Sequence, residues 1–485
     1  MPERLVISLN RLVWSTPLVL LCLLTGLFFS LRLHFPQLRL FGQMLRCTVS
    51  AEKSGHGITP FQAFTSTVGA RVGMGNIAGV AAAIRFGGPG AVLWMWVIAL
   101  LGAASAFAES VLAQAYKIRL PGSGEYAGGP AYYIERGLGK RVPAVLYAAA
   151  AVFGSGLAMP GLQTHQLTAV LQDTFGIAPL LTALLLTVCT AAVIFGSVRR
   201  IGRAAEQLAP VMCVLYLQLA VLVILVRWSA VGSVFALIIR SAIGKEPVFG
   251  AIIGSAVSRG VTRGVYSSEA GQGTGAVMAA AAETSHPVRQ GLVQILSVFI
   301  DTLVVCTATA LMILCSGFYS VAAPDGTLLY DGASGTEYGI LYALRGIQSV
   351  LGSWSGTVLA VCAALFVFTS LTGCYYQAES NLRWLCRGKD RLTAALRAVF
   401  LLSVFSGAFV STDALWALGE LGSGVMTWIN LFALLGMSGQ VRALLNDFER
   451  QLHRGLEPLF DPAVLHIQDI AGVWSVYAAR RRSRR

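Results

Sequence analysis

The apolar stretch 61–84 is long enough to cross a bilayer, yet its middle is rich in glycine. Residues 68–79 read Val-Gly-Ala-Arg-Val-Gly-Met-Gly-Asn-Ile-Ala-Gly, so four glycines stand beside Arg71 and Asn76. A glycine inside a helix costs about 1 kcal/mol relative to alanine, and backbone amides released in a membrane are tolerated only where they line a polar cavity. The stretch therefore predicts a spanning helix that unwinds near its middle. A glycine face for close helix packing, with Gly75 and Gly79 at the required spacing, is the alternative.

Composition places the rest of the chain in a membrane as well. Of its 485 residues 55% are hydrophobic and 12% are charged, whereas soluble domains carry about 25% charged residues. Because the N-terminus lacks the pattern of a cleaved signal peptide, its apolar segment is expected to remain as a helix. Eleven spans are predicted, at 11–33, 61–84, 91–117, 144–170, 179–198, 206–228, a broken one within 246–277, 290–316, 352–380, 394–410 and 413–438.

The net charge of +13 reports topology and not a nucleic-acid partner, since the basic residues are distributed among alternate loops. Loops 34–60, 118–143, 199–205 and the loop after the ninth span carry most of them, so these loops are predicted to be cytoplasmic. The N-terminus then lies outside and the C-terminus inside. The C-terminal segment ends in a basic cluster at 480–485, which is interpreted as a solvated tail that helps to set topology. Contact of this tail with anionic headgroups of the lipid bilayer is the alternative.

No pattern of enzymatic chemistry or of a bound cofactor is present in the sequence. The nine cysteines form no CxxC pair, and the six histidines lack the spacing of a zinc helix. Walker A, GxSxG and HExxH motifs are absent as well. The sequence therefore disfavours an enzyme, and no cofactor is expected beyond a coupling ion.

A second polar and glycine-rich segment, 259–275, lies in another predicted span. Apart from span 11–33, the two interrupted segments occupy the first of five spans and the first of the next five. An odd number of spans inverts the second copy, and matching breaks in inverted repeats indicate a binding site. A re-entrant or cytoplasmic loop at 267–275 is the alternative. The predicted organisation is an N-terminal helix and loop (1–60), two five-helix repeats (61–228 and 229–440) and a basic tail (441–485).

Several ionisable residues lie within or at the ends of the apolar spans, where an ionised group costs several kcal/mol unless it is paired or solvated. Internal salt bridges or helix caps are the favoured interpretation for Glu109, Glu206 and Asp301. Arg71 and Glu269 stand beside the two breaks, so a gating or cavity role is weighed equally with a structural one.

At these residues the chain resembles the alanine or glycine:cation symporter family. The family motif G-x-G-N-I-x-G-V-A stands at 73–81, and similarity continues through Gly87-Gly88-Pro89, Glu269-Ala270-Gly271 and His286-Pro287-Val288-Arg289-Gln290-Gly291. The resemblance implies an all-α integral membrane protein with the leucine-transporter fold. This fold consists of two inverted five-helix repeats, and here one extra N-terminal helix precedes them. The implied function is secondary active symport of a small neutral amino acid with a cation across the bacterial inner membrane, with Na+ favoured over H+.

The same resemblance implies the site residues. The substrate carboxylate is expected at the unwound backbone of Gly73, Met74, Gly75 and Asn76, with Gln163 of the fourth span in the pocket. Hydroxyls of Thr369 and Ser370 on the ninth span are the expected sodium ligands. Bonding of these hydroxyls to the preceding helical turn is the ordinary alternative.

Four residues depart from the family pattern near the expected pocket. His165 and Ser268 stand where asparagine is usual, Gln272 where leucine is usual, and Cys374 where tryptophan is usual. His165, Ser268 and Cys374 are therefore added to the candidate substrate-binding residues. The small Cys374 predicts a roomier pocket that admits amino acids larger than alanine.

Two other function classes compete with symport. Broken polar helices also line ion channels, although channels usually repeat a filter around an oligomeric axis. A substrate-sensing membrane protein would bind an amino acid without moving it. Saturable, ion-coupled uptake distinguishes symport from both.

Overall fold

The computed structural model describes residues 2–49, 57–120, 124–196, 198–387, 390–469 and 472–483, most of which are helical. The strands form two short antiparallel hairpins. The first pairs β1 (Ile118–Arg119) with β2 (Tyr126–Ala127), and the second pairs β3 (Ser320–Ala322) with β4 (Leu328–Asp331). In the second hairpin Val321 lies opposite Tyr330, next to a bulge.

Four helices precede the first broken helix. They are α1 (Pro2–Val13), α2 (Thr16–Arg32), α3 (Pro36–Arg39) and α4 (Phe41–Val49). Glu420 anchors the first of them, because its carboxylate accepts from Asn10 Nδ2 at 2.5 Å and its carbonyl accepts from Trp14 Nε1 at 2.8 Å.

The first five-helix unit contains eight helical pieces. They are α5 (Pro60–Arg71), α6 (Val80–Gly87), α7 (Ala91–Ala115), α8 (Pro130–Gly137), α9 (Arg141–Phe153), α10 (Met159–Phe175), α11 (Pro179–Ile194) and α12 (Val198–Val226). Wide π-helical turns at Gly75–Gly79 and Gly154–Ala158 lead into α6 and α10. Such turns occur frequently at functional sites.

The second unit also contains a broken helix near its start. Its helices are α13 (Trp228–Ala242), α14 (Ile253–Ser268), α15 (Thr274–Ala281), α16 (Pro287–Val298), α17 (Thr307–Ser316), α18 (Ile340–Leu351), α19 (Trp354–Cys386), α20 (Asp390–Ser406) and α21 (Thr412–Gly436). A π-helical segment at Phe299–Cys306 joins α16 to α17, and short 3₁₀ turns lie at Gly250–Ile252 and Gly407–Phe409. Two helices, α22 (Ser438–His453) and α23 (Ser475–Ser483), follow with a 3₁₀ turn at Pro462–Leu465.

Both broken helices begin and end for identifiable reasons. A capping box starts α5, since Thr59 Oγ1 accepts from the Gln62 amide and Gln62 Oε1 accepts from the Thr59 amide, each at 3.1 Å. The helix ends at Arg71 and resumes at Gly75 after a bend of 52°. In the second unit α14 ends at Ser268, and α15 resumes at Thr274.

Matching helices of the two units contact one another. α5 packs along α15 and α6 packs along α14, so each half lies beside the opposite half of the other broken helix. The two broken helices therefore run antiparallel. In the same way α7 packs on α16, α9 and α10 pack on α19, and α11 packs on α20. This arrangement agrees with the predicted inverted repeat and brings the two breaks together.

The predicted spans correspond to helices throughout the described residues. Eight helices are long and apolar enough to cross a membrane, and the bent pair Pro60–Arg71 and Gly75–Gly87 is a ninth. The two remaining predicted spans are Pro179–Ile194, an apolar helix of 16 residues, and the second broken segment.

The segments predicted as loops contain more structure than expected. Segment 229–245 holds most of α13, and segment 317–351 holds the second hairpin and α18. The C-terminal segment also contains buried residues, because Phe448, Phe460 and Trp474 are buried and Lys117 Nζ lies 4.7 Å from the Trp474 ring centre. These few buried apolar residues gave no signal in a segment of basic composition. Arg480 and Arg482 of the basic cluster itself are exposed. Residues 484 and 485 of the basic cluster lie outside the described residues.

Candidate functional site between the two breaks

The first break exposes backbone amides to two side chains. The Gly73 amide donates to Asn76 Oδ1 at 3.0 Å, and the Met74 amide donates to Gln163 Oε1 at 3.0 Å. Gln163 comes from α10, whose π-helical entry places it against the break. At the start of a helical segment these amides have no backbone carbonyl to donate to, so side-chain oxygens accept their hydrogen bonds. A ligand oxygen of similar charge can take the same places.

Helix α19 lies directly against this break. A Cβ atom at Gly73 would lie 2.9 Å from Ser370 Oγ and 3.1 Å from Gln163 Nε2, so a larger residue there would displace both side chains. Ser370 Oγ donates to the Ala70 carbonyl at 3.1 Å, near the end of α5. Thr369 Oγ1 instead donates to its own helix, at 3.0 Å from the Leu365 carbonyl. The expected sodium ligand Ser370 therefore crosses to the break, whereas Thr369 shows the back-bonding alternative.

The second break is held in a different way. Glu269, Gly271 and Gly273 have positive φ angles of 54°, 86° and 87°. The exposed carbonyls are satisfied from outside, since Asn430 Nδ2 donates to the Gly271 carbonyl at 2.9 Å and Tyr147 OH donates to the Gln272 carbonyl at 2.8 Å. The break thus depends on residues from α21 and α9.

Asp301 connects the two breaks. Its Oδ1 accepts from Asn76 Nδ2 at 2.7 Å in the first break, and its Oδ2 accepts from Ser267 Oγ at 3.0 Å at the end of α14. Thr302 Oγ1 donates to the same Oδ2 at 2.8 Å. Asp301 is fully buried. The sequence favours a salt bridge or cap for this residue, yet no ion pair to Asp301 exists among the described residues. In the sequence, the only sign of its special position was that a carboxylate stands in an apolar span.

The other predicted pocket residues differ in where they lie relative to the two breaks. Cys374 is 2% exposed and lies beside Ser370 and Glu269. Ser268 lies at the second break, where its Oγ accepts from the Ala270 amide at 3.4 Å. His165 follows Gln163 by two residues, which is a rotation of about 200° on an α-helix, so it points away from the first break. Gln272 is fully buried and donates to the Val265 carbonyl at 2.8 Å, which caps α14.

Arg71 and two glutamates form a buried group of ionisable side chains beside the breaks. Arg71 ends α5 with Glu269, Glu109 and Asp301 as its neighbouring carboxylates. Glu269 Oε2 accepts from Thr274 Oγ1 at 2.8 Å and from Gln377 Nε2 at 3.3 Å. The salt bridges expected for Glu109 and Glu206 are not formed within the described ranges, and Glu206 accepts from Gln62 Nε2 at 2.9 Å.

Two inverted units with facing breaks at their centre define the class of secondary active transporters. The chain belongs to the sodium:alanine symporter family, whose family model matches residues 1–462. It is therefore a cation-coupled amino-acid symporter with several membrane-spanning helices, and not an enzyme.

Curated relatives match over nearly full length. YrbD of Bacillus subtilis (strain 168), named for sodium/proton-dependent alanine carriage, is 45% identical over 97% of both chains. GlnT of the same organism, named for sodium/glutamine symport, is 38% identical over 98% of this chain and 96% of its own. The sodium/alanine symporter AgcS of Methanococcus maripaludis is 36% identical over 90% of this chain and 95% of its own.

Solved structures share the fold at low sequence identity. MhsT in complex with L-phenylalanine matches with a TM-score of 0.54 at 14% identity, over 88% of this chain and 96% of that chain. A Na+-coupled sialic acid symporter in a substrate-bound outward-open state matches with a TM-score of 0.52 at 12% identity, over 97% and 98%. Both have the leucine-transporter fold, so the predicted fold class is confirmed.

Proposed function

We propose that this protein imports a small neutral amino acid together with Na+ by alternating access across the bacterial plasma membrane. The observation that carries the proposal is the first break, where the Gly73 and Met74 amides lie beside α10 and α19. The basic loops and the C-terminus are assigned to the cytoplasmic side, and the N-terminus to the outside.

The two sides of Asn76 suit the two ends of a zwitterion. Its Oδ1 accepts from the Gly73 amide, which marks backbone donors that can receive a carboxylate in place of Asn76 and Gln163. Its Nδ2 donates to the Asp301 carboxylate, which is an acceptor that can receive an ammonium group. The N-terminus of the helical segment Gly75–Gly87 adds a favourable dipole at the carboxylate end.

Sodium is assigned to the oxygens where α5 meets α19. Ser370 Oγ and the Ala70 carbonyl are 3.1 Å apart, and Thr369 Oγ1 lies on the neighbouring residue against Gly69. Hydroxyl and carbonyl oxygens are hard ligands suited to a hard cation. Rotation of the Thr369 hydroxyl away from its own helix completes the set.

A larger amino acid such as glutamine is the second candidate substrate. The observation that favours it is Cys374, a small side chain beside Ser370 and Glu269. The relative GlnT, named for sodium/glutamine symport, supports the same possibility. His165 does not contribute to this argument, because it points away from Gln163.

The decisive experiment is uptake into proteoliposomes of a panel of labelled amino acids, with sodium and pH gradients imposed separately. Saturable uptake driven by the sodium gradient supports the proposal. Flux without saturation would indicate a channel, and binding without flux would indicate a sensor. Gly232→Ala is a suitable control variant, since a Cβ atom there meets nothing within 4 Å.

A further inference from the structure

Glu109 of α7 is a buried carboxyl with little compensation. It is 0% exposed, and its Oε2 accepts from Asn430 Nδ2 at 2.9 Å. Its Oε1 has no hydrogen-bond partner among the described residues. An ionised carboxylate in such surroundings costs several kcal/mol, whereas a protonated one does not carry that cost.

Arg71, the cation that faces Glu109, makes no ion pair with it among the described residues. Arg71 Nη1 donates to Ser297 Oγ and, at 3.5 Å, to the Gln294 carbonyl. Its Nε and Nη2 atoms are buried without a hydrogen-bond partner, and no ion pair joins Arg71 to a carboxylate in the part of the chain described. Arg71 Nη2 would lie 2.3 Å from a Cβ atom at Gly275, so the guanidinium rests on the start of α15.

The other groups that face Glu109 leave this imbalance in place. Glu269 contributes a second negative charge from the second break. Tyr133 of α8 and Tyr147 of α9 are also neighbours, but Tyr133 OH donates to Asn430 Oδ1 and Tyr147 OH donates to the Gln272 carbonyl. From α16 the buried neighbours of Arg71 are neutral, since they are Gln294 and Ser297.

A comparison of the three buried carboxylates singles out Glu109. Glu109 receives one side-chain hydrogen bond, from Asn430, and the Gly273 amide also faces it, but its Oε1 is buried without a hydrogen-bond partner among the described residues. Both oxygens of Asp301 accept hydrogen bonds, and Glu269 accepts two at Oε2. Arg71 supplies a single positive charge to all three. Ionisation of every carboxylate would therefore leave two uncompensated negative charges, and the carboxylate that has a buried oxygen without a donor is the best proton acceptor.

We infer that Glu109 is a proton-binding site whose occupancy changes during transport. The step forms an O–H bond at the carboxylate when a proton arrives from water on one side, and breaks it when the proton leaves to water on the other. This inference rests on the proposed function, because it requires a transport cycle.

The inference requires a group that links the proton on Glu109 to the transport cycle. Arg71 of α5 is that group if α5 shifts relative to α7 as access alternates, because the distance from the guanidinium to Glu109 then changes with the cycle. A closer guanidinium favours the ionised carboxylate and a more distant one favours the protonated form. Asn430 transmits the state of Glu109 to the second break, since its Nδ2 contacts both Glu109 Oε2 and the Gly271 carbonyl.

The test uses full-length protein in proteoliposomes that contain a pH-sensitive dye, with the membrane potential clamped at zero. Labelled alanine and glutamine are added under a sodium gradient, and uptake and lumenal pH are recorded together. The parent is expected to change lumenal pH as it transports. Glu109→Gln is expected to transport with a flattened pH dependence and to move no more protons than empty liposomes. Glu206→Gln, which removes a half-buried carboxylate of α12, is the matched control and should move as many protons per amino acid as the parent.

Each result decides a different question. A parent that accumulates no amino acid under the sodium gradient refutes the proposed function itself. A parent that accumulates amino acid without a lumenal pH change overturns only the proton site, as does a Glu109→Gln variant that moves protons like the parent. If Glu109→Gln fails to reach the membrane, Glu109→Asp is decisive. That variant keeps an ionisable group, so its uptake must retain proton movement with a displaced pH midpoint, and an unchanged midpoint overturns the inference.

Discussion

The two breaks use glycine for different purposes. In the first break Gly73 and Gly75 do not have positive φ, and Gly73 is needed because Ser370 and Gln163 approach too closely for a Cβ atom. In the second break Gly271 and Gly273 have φ angles of 86° and 87°, a backbone conformation that other residues rarely adopt. The glycines of the first break thus serve close contact alone, whereas those of the second serve a left-handed backbone as well as close contact, since a Cβ atom at Gly273 would overlap Pro130 Cγ.

This difference agrees with the groups that surround each break. The first break has amides that two neutral side-chain oxygens satisfy, and those oxygens can be exchanged for ligand oxygens. The second break has carbonyls that Asn430 and Tyr147 hold. We therefore expect substitutions at the first break to change transport, and substitutions at the second break to change stability.

The largest effects are expected at the first break, and Gly73→Ala tests it with the smallest change. The added Cβ atom displaces Ser370 and Gln163 by several tenths of an ångström, and a misplacement of about 1 Å in a binding site can cost about 100-fold in rate. Because the displacement is smaller than 1 Å, uptake at a fixed sodium gradient should fall by up to about that factor. Gly75→Ala is the control, since its Cβ would lie 3.6 Å from Ser267 Cα, an ordinary contact. Equal uptake by the two variants would contradict the assignment of the Gly73 backbone to the substrate site.

Gly75→Leu, with a larger side chain, should abolish transport while membrane insertion is retained.

The next effect concerns the second break and is measured as stability. Gly271→Ala forces a positive φ on alanine and places a Cβ atom 2.9 Å from Leu431 Cδ2. Strain of this kind costs about 1–3 kcal/mol. The midpoint of thermal unfolding in detergent should therefore fall, with uptake per folded molecule changed much less than in Gly73→Ala. A variant with parental stability and lost sodium affinity would show that the second break is also a ligand site.

Sequence patterns were sufficient to locate both breaks, because a cluster of glycines with charged and amide side chains is rare in a continuous apolar helix. The period of an α-helix alone would also have shown that His165 and Gln163 lie on opposite faces of α10. The role of Asp301 could not be obtained in this way, since a carboxylate in an apolar span has the same sequence whether it caps, pairs or binds. The packing of Phe460 and Trp474 was hidden for a similar reason, because isolated apolar residues in a basic segment carry no periodic signal.

Cys374 lies between the two breaks and provides a test of selectivity. It neighbours Ser370 of the first site and Glu269 of the second break. One methylene in an apolar pocket is worth about 1–3 kcal/mol of discrimination, so the bulk of an indole ring should exclude longer side chains. Competition assays should show that the parent accepts amino acids larger than alanine and that Cys374→Trp shifts preference toward alanine or glycine. A parent restricted to those two, with selectivity unchanged in the variant, would place Cys374 outside the pocket.

The smallest effect distinguishes the two hydroxyls of α19. Ser370 donates across to the Ala70 carbonyl, whereas Thr369 donates to the Leu365 carbonyl of its own helix. Loss of one hydrogen-bonding group typically costs about 0.5–1.5 kcal/mol, so Ser370→Ala should raise the sodium concentration for half-maximal uptake by about 2–10-fold. Thr369→Val should raise this sodium concentration less, because the Thr369 hydroxyl is already hydrogen-bonded within its own helix before sodium binds. The order of the two variants is the measurement that matters. If Thr369→Val has the larger effect, its hydroxyl must leave the Leu365 carbonyl when sodium arrives, and the contact between Ser370 and Ala70 would then be a helix-packing bond instead of part of the sodium site.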